Sequence, residues 1–153
     1  MSATAPGDAI VQQVDIQAPA KRIFKALANP EELLKWWRAE GKFQAVRVES
    51  ELRPGGRWTM LVSGSCATDP ATKVSGRYHT IEPPRLLIYT WIREEDQAET
   101  VVRWDLEERG GVTTVRLTHS GLTTDRLRTR NNGWPLILAL LQAHTQLHIE
   151  GMP

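Results

Sequence analysis

From Phe43 to His119 the sequence alternates apolar and polar residues in segment after segment, and each segment stops at a turn signal. This pattern constrains the fold most, because a period of two sends alternate side chains to opposite faces of a strand. Phe43 to Arg53 ends at Pro54-Gly55-Gly56. Arg57 to Cys66 sets Trp58, Met60 and Val62 on one side, before a polar loop around Asp69-Pro70. Val74 to Glu82 ends at Pro83-Pro84, and Leu86 to Arg93 aligns Leu87, Tyr89 and Trp91. Thr100 to Arg109 puts Val102, Trp104 and Leu106 together, and Gly110-Gly111 then permits a tight hairpin. Val112 to His119 aligns Val115, Leu117 and His119. Six antiparallel strands in succession are predicted.

The flanks read differently. Ile10 to Ala18 alternates as one more half-buried strand, and Pro19 opens a helix with Ala20, Ile23, Phe24 and Leu27 as its apolar stripe. Asn29-Pro30-Glu31-Glu32 restarts a second helix, with Asn29 as cap, Pro30 at the first helical position and Glu32 where a capping box needs it. That helix carries Leu33, Leu34, Trp36 and Trp37. After about Thr123 the period becomes helical again, with Trp134, Leu138, Leu141 and Thr145 in step. Pro135 removes a hydrogen bond inside a helix, so either a helix over 123–149 kinks near Asn131 or the main helix starts at Asn131 or Asn132, and a kinked or stepped helix is favoured. Residues 1 to 8 read as a loose tail and 9 to 153 as a single domain. The predicted class is α+β: two short helices after the first strand, and a curved antiparallel sheet of about seven strands wrapped on a long C-terminal helix. A curved sheet gripping one helix tends to leave a cavity between them.

This order, carrying these words, resembles the family of homologues of the activator of heat-shock-protein-90 ATPase. The likeness rests on APAKRIFKALANPEELLKWW at 18–37, LRPGGRW at 52–58, GRYHTIEPPRLLIYTW at 76–91, LTHSGL at 117–122 and GWPLILALL at 133–141. Together they span nearly the whole chain. The resemblance implies the START-like helix-grip fold of the SRPBCC superfamily, shared with the major birch-pollen allergen and polyketide cyclases. It also implies a cavity that binds hydrophobic or amphipathic molecules. Some branches of the superfamily catalyse cyclisation or dehydration there, and the family's eukaryotic namesake binds the chaperone's middle domain.

Composition narrows the field. A formal net charge of +1 gives no electrostatic footprint for nucleic acid, and no apolar run is long enough to insert into a membrane as a helix. A single cysteine, Cys66, forbids an internal disulfide and fits a reducing, cytoplasmic address. Cys66 itself reads as a free structural thiol. The chain has no GxSxG, Walker or CxxC motif and no metal-ligand cluster, so no cofactor, metal or catalytic residue is assigned.

The candidate ligand-binding residues are Trp37, Trp58, Tyr78, Tyr89, Trp91, Trp104, His119 and Trp134. The inward aromatics either fill the core or wall a cavity. Of the Trp36-Trp37 pair, one ring is expected to close the end of the core, and Trp37 to face the cavity entrance. Tyr78 and His119 are the polar candidates, and His119 is either a hydrogen-bonded structural residue or an acid/base. The side on which His79 lies is left open. His144 and His148 sit four apart without the glutamate of a metal motif, and a solvated helix end is expected. Arg77, Arg93, Arg103 and Arg116 are expected on the solvent face, as is the basic run DRLRTR at 125–130. An inward arginine would imply an anionic ligand head group.

Three functions are compatible. The first is a non-enzymatic binder of a hydrophobic or amphipathic small molecule. The others are a chaperone-associated interaction module and a cyclase- or dehydratase-like enzyme using His119 or a cavity carboxylate. A homodimer is compatible with each.

Overall fold

The computed structural model describes residues 8–39, 41–64 and 72–146. Most of the tail, Cys66, the loop around Asp69-Pro70 and His148 lie outside the described residues. The elements run β1 (Ile10–Ile16), α1 (Ala20–Ala28), α2 (Pro30–Trp36), β2 (Arg38–Ala39), β3 (Phe43–Ser50), β4 (Arg57–Ser63), β5 (Thr72–Glu82), β6 (Leu86–Arg93), β7 (Glu99–Arg109), β8 (Val112–Ser120), α3 (Asp125–Arg130) and α4 (Trp134–Thr145).

One antiparallel sheet has the order β1-β8-β7-β6-β5-β4-β3-β2. Each strand from β2 to β8 pairs with its sequence neighbour, as hairpins dictate, and β1 returns to pair with β8, Val14 facing Val115. The sheet has eight strands rather than about seven. The additional one is β2, two residues pairing Arg38 with Gln44 and Ala39 with Phe43, too short to show an alternation.

The predicted inward faces meet in one core. Ile16, Trp58, Met60, Val74, Leu87, Trp91, Val102, Trp104, Leu106, Val115 and Leu117 from the strands join Ile23, Phe24, Leu27, Leu33, Trp36 and Trp37 from the two short helices. Trp134, Ile137, Leu138 and Leu141 of α4 close it from the concave side. Where the backbones come closest, a side chain is impossible. A Cβ on Gly76 would lie 1.9 Å from the Thr90 carbonyl oxygen and 2.8 Å from Trp58 Nε1. A bulge between Tyr78 and Thr80 then resets the alternation of β5 and leaves His79 exposed.

The helices meet some expectations and depart from others. The helical stretch over 123–149 is two helices, and the main one begins at Trp134 with Pro135 in its first turn. There the missing N–H breaks no bond, so the proline starts the helix instead of kinking it. At twelve residues α4 spans about 18 Å. Asn29 caps α2 as expected, its Oδ1 accepting from the N–H groups of Glu31 at 2.8 Å and Glu32 at 3.2 Å. Glu32 does not close a capping box. Its carboxylate turns to α1 and α4 instead, 3.0 Å from Arg22 Nη1 and 2.7 Å from His144 Nε2. His144, expected at a solvated helix end, is therefore a half-buried tie between α4 and α2. Among the described residues no helix is long and apolar enough to cross a membrane, and no group of three acidic, histidine or cysteine residues is placed to hold a metal ion.

Candidate functional site

Alternation decides which strand residues point inward, and the start of α4 decides where the sheet goes uncovered. Because α4 begins only at Trp134, one end of the concave face is left uncovered by that helix. A cavity of about 470 Å³ lies there. It is bounded by Trp37, by Phe43 of β3, by Met60 and Val62 of β4, by Val74 of β5 and by Trp91 and Arg93 of β6. Asn131, Gly133, Trp134, Leu136 and Ile137 complete it from the helical side. The lining is mainly apolar and aromatic with a few polar groups, the usual make-up of a small-molecule site.

Three tryptophans dominate the wall, and each is held from behind. Trp37 ends α2, its N–H bonded to the Leu33 carbonyl and its own carbonyl accepting from Ala45 N–H at 2.9 Å. Its neighbour Trp36 points away and donates its indole N–H to the Ala26 carbonyl at 2.9 Å, joining α2 to α1. The ring of Trp37 lies 6.2 Å from Trp91 and 6.0 Å from Trp134, and those two are 5.3 Å apart. Such spacings suit tilted and edge-to-face aromatic packing.

A hydrogen-bonded relay fixes the other two rings. Trp134 Nε1–H donates to His119 Nδ1 at 3.0 Å. Thr100 Oγ1 donates its single proton to the Trp91 carbonyl at 2.8 Å. The Thr100 oxygen must then accept from His119 Nε2, also 2.8 Å away. His119 is therefore the neutral tautomer with its proton on Nε2. Burial, followed by the nearby positive charge of Arg93, pushes its pKa from 6.5 down to about 4. Trp91 Nε1–H in turn donates to Asn131 Oδ1 at 3.2 Å, and Asn131 Nδ2 donates to the Leu127 carbonyl at 2.8 Å.

Of the eight candidates, Trp37, Trp91 and Trp134 line the cavity. Trp58, Tyr78 and Tyr89 surround a separate void of about 20 Å³, room for one water, with Trp37, Met60 and Trp91 as the partition. Both tyrosine hydroxyls are engaged. Tyr78 shares a hydrogen bond of 2.8 Å with Ser50 Oγ, and Tyr89 accepts from Trp104 Nε1 at 3.0 Å. Burial pushes both phenols above their ordinary pKa. Trp104 and His119 are fully buried behind Trp134 and do not line the cavity.

Alternation read without its last step missed Arg93. Leu87, Tyr89 and Trp91 point inward, and the next residue of that series is Arg93, which lines the cavity instead of the solvent face. Asn131 was missed because it follows a helix end, where neither period applies.

The family model of the Activator of Hsp90 ATPase homolog 1-like protein matches residues 17–146. No curated protein matches the chain. Among solved structures, protein CV1439 from Chromobacterium violaceum superposes with a TM-score of 0.80 at 22% identity, over 92% of this chain and 98% of that one. CalU16 from Micromonospora echinospora gives 0.67 at 23% identity, over 89% and 74%. The AHSA1-like protein from Aeromonas hydrophila gives 0.71 at 17% identity, over 88% and 91%. At these identities the structures speak for the helix-grip fold alone. The match along most of its length, joined to that fold, makes the chain a member of the Activator of Hsp90 ATPase homolog 1-like family.

Proposed function

We propose that this protein binds a hydrophobic or amphipathic small molecule in the cavity between the sheet and α4. The observation that supports this reading is the open volume of about 470 Å³ walled by Trp37, Trp91 and Trp134. Water in an opening lined mainly by apolar and aromatic groups finds few hydrogen-bond partners, so an apolar occupant is favoured there. The indoles of Trp91 and Trp134 are held by hydrogen bonds to Asn131 and His119, and the Trp37 ring packs against both, so the wall is shaped before a ligand arrives. Trp58, Tyr78, Tyr89, Trp104 and His119 act as supporting residues in this reading, packing or bonding behind the wall. For the enzyme reading His119 is a poor proton carrier, since both its nitrogens are already committed to Trp134 and Thr100, and among the described residues no carboxylate lines the cavity.

Tryptophan emission titrated with fatty acids, fatty alcohols, polyketides and aromatic metabolites tests the proposal. Three of the six tryptophans face the cavity, so an occupant shifts or quenches the emission with a saturable curve. Trp91→Phe reduces that response while the fold, followed by circular dichroism, is retained. A panel that leaves the emission unchanged removes the proposal.

A further inference from the structure

Arg93 is at odds with its surroundings. It follows Trp91 on the inward face of β6 and lines a cavity that is otherwise largely apolar. Its Nε is buried and has no hydrogen-bond partner among the described residues. The strand arginines grouped with it by sequence are all engaged. Arg103 pairs with Asp105 at 2.9 Å, Arg77 donates to the Gly55 carbonyl at 3.1 Å and Arg116 to Gln13 at 3.2 Å. No carboxylate among the described residues lies within ion-pair distance of Arg93. A donor left this way carries a desolvation cost that a stable fold normally avoids. Its charge is felt in the interior, because after burial it is the second cause of the depressed pKa of His119.

We infer that the ligand is an apolar carboxylic acid, whose carboxylate pairs with Arg93 while its hydrocarbon or aromatic body lies against Trp37, Trp91 and Trp134. This rests on the cavity-binding reading and narrows it to one chemical class. A guanidinium presents a planar fork of donors that matches a carboxylate in two parallel hydrogen bonds. An occupant of that kind gives the half-buried guanidinium of Arg93 an ion-pair partner inside the cavity that it lines. A neutral lipid of the same length fills the volume but leaves the arginine unpaired. The amino-terminal turn of α4, with no side-chain cap on Gly133, borders the same cavity and contributes in the same sense.

The test compares dodecanoate with dodecan-1-ol, both below the concentrations at which they form micelles. Binding is followed by tryptophan emission to the wild type, to Arg93→Gln and to Arg93→Lys at pH 7.5. The wild type is expected to bind the acid at least tenfold more tightly than the alcohol. In Arg93→Gln the two affinities converge, because the acid loses its advantage and the alcohol does not. Arg93→Lys keeps part of the preference, having the charge without the fork. Since the substitution to Gln removes an unpaired charge, the variant is expected to fold and to melt no lower than the wild type. Equal affinity for acid and alcohol in the wild type overturns the carboxylate assignment and leaves cavity binding standing. An acid preference that survives Arg93→Gln also overturns it. Failure of both probes to bind the wild type removes the cavity reading and the assignment with it.

Discussion

Both ring nitrogens of His119 are committed, Nδ1 to the Trp134 indole and Nε2 to the Thr100 hydroxyl, so a proton added to the ring must break the first of these bonds. The consequence for stability has a definite sign. The folded state keeps His119 neutral down to about pH 4, whereas the unfolded chain takes up the proton near the ordinary 6.5. Between those values the unfolded state binds more protons, so stability falls as the pH drops through this window and is flat above it with respect to this group. At about 1.4 kcal/mol per pKa unit, the full loss is about 3.5 kcal/mol. Urea unfolding at pH 7 and pH 4.5 measures the larger part of it. His119→Gln is expected to be less stable than wild type at pH 7 but to lose about 2 kcal/mol less on acidification. Equal losses in the two proteins would rule out His119 as the group responsible. The role of this residue was only half legible in the sequence. Alternation placed it inward beside Val115 and Leu117, but its partners come from β7 and from the start of α4, and no spacing along β8 announces them.

At the scale of elements, hairpins carried most of the information. Each strand from β3 to β8 is flanked by its partner in sequence, so a local alternation and a turn were enough to place it, and glycines at positive φ in Gly110-Gly111 confirm the hairpin between β7 and β8. The helices were legible in position and not in their mutual contacts. Glu32 shows why. Its spacing from Asn29 suits a capping box, yet Arg22 of α1 and His144 of α4 offer a charged partner and a ring N–H that a local bond to one backbone donor does not match. Burial pushes its carboxyl up, but the hydrogen bonds from His144 and Arg22 outweigh that and hold its pKa below the ordinary value. The carboxylate thus ties three helices at one point. Glu32→Gln is expected to cost about 1–3 kcal/mol in urea unfolding at pH 7. Arg22→Ala is expected to cost much less in the Glu32→Gln background than in the wild type, because its partner charge is already gone. Strict additivity of the two changes contradicts the three-helix tie.

Over the whole molecule, close packing and open space are segregated, and the boundary between them depends on curvature and on where α4 starts. Neither is written in a period of two or of 3.6 residues, so inward-facing residues of one kind met different ends. Trp104 and Leu117 became core with no exposed surface, whereas Trp91 and Val62 came to border the cavity. If the opening is there for a ligand, the two regions answer enlargement and truncation in opposite ways. Leu117→Ala digs a hole where none existed and is expected to cost about 2–5 kcal/mol, with the affinity for dodecan-1-ol changed less than threefold in the fraction that remains folded. Val62→Phe pushes a ring into existing space. It meets little of the strain that overpacking brings to a filled core and is expected to hold stability within about 1 kcal/mol of wild type. The same ring occupies room that the ligand needs, so the affinity for dodecan-1-ol is expected to fall more than tenfold. Urea midpoints and emission titrations on the two variants give four numbers. A Val62→Phe protein that unfolds as readily as Leu117→Ala means that the site is closed in solution. One that is stable and still binds with unaltered affinity means that the ligand sits elsewhere.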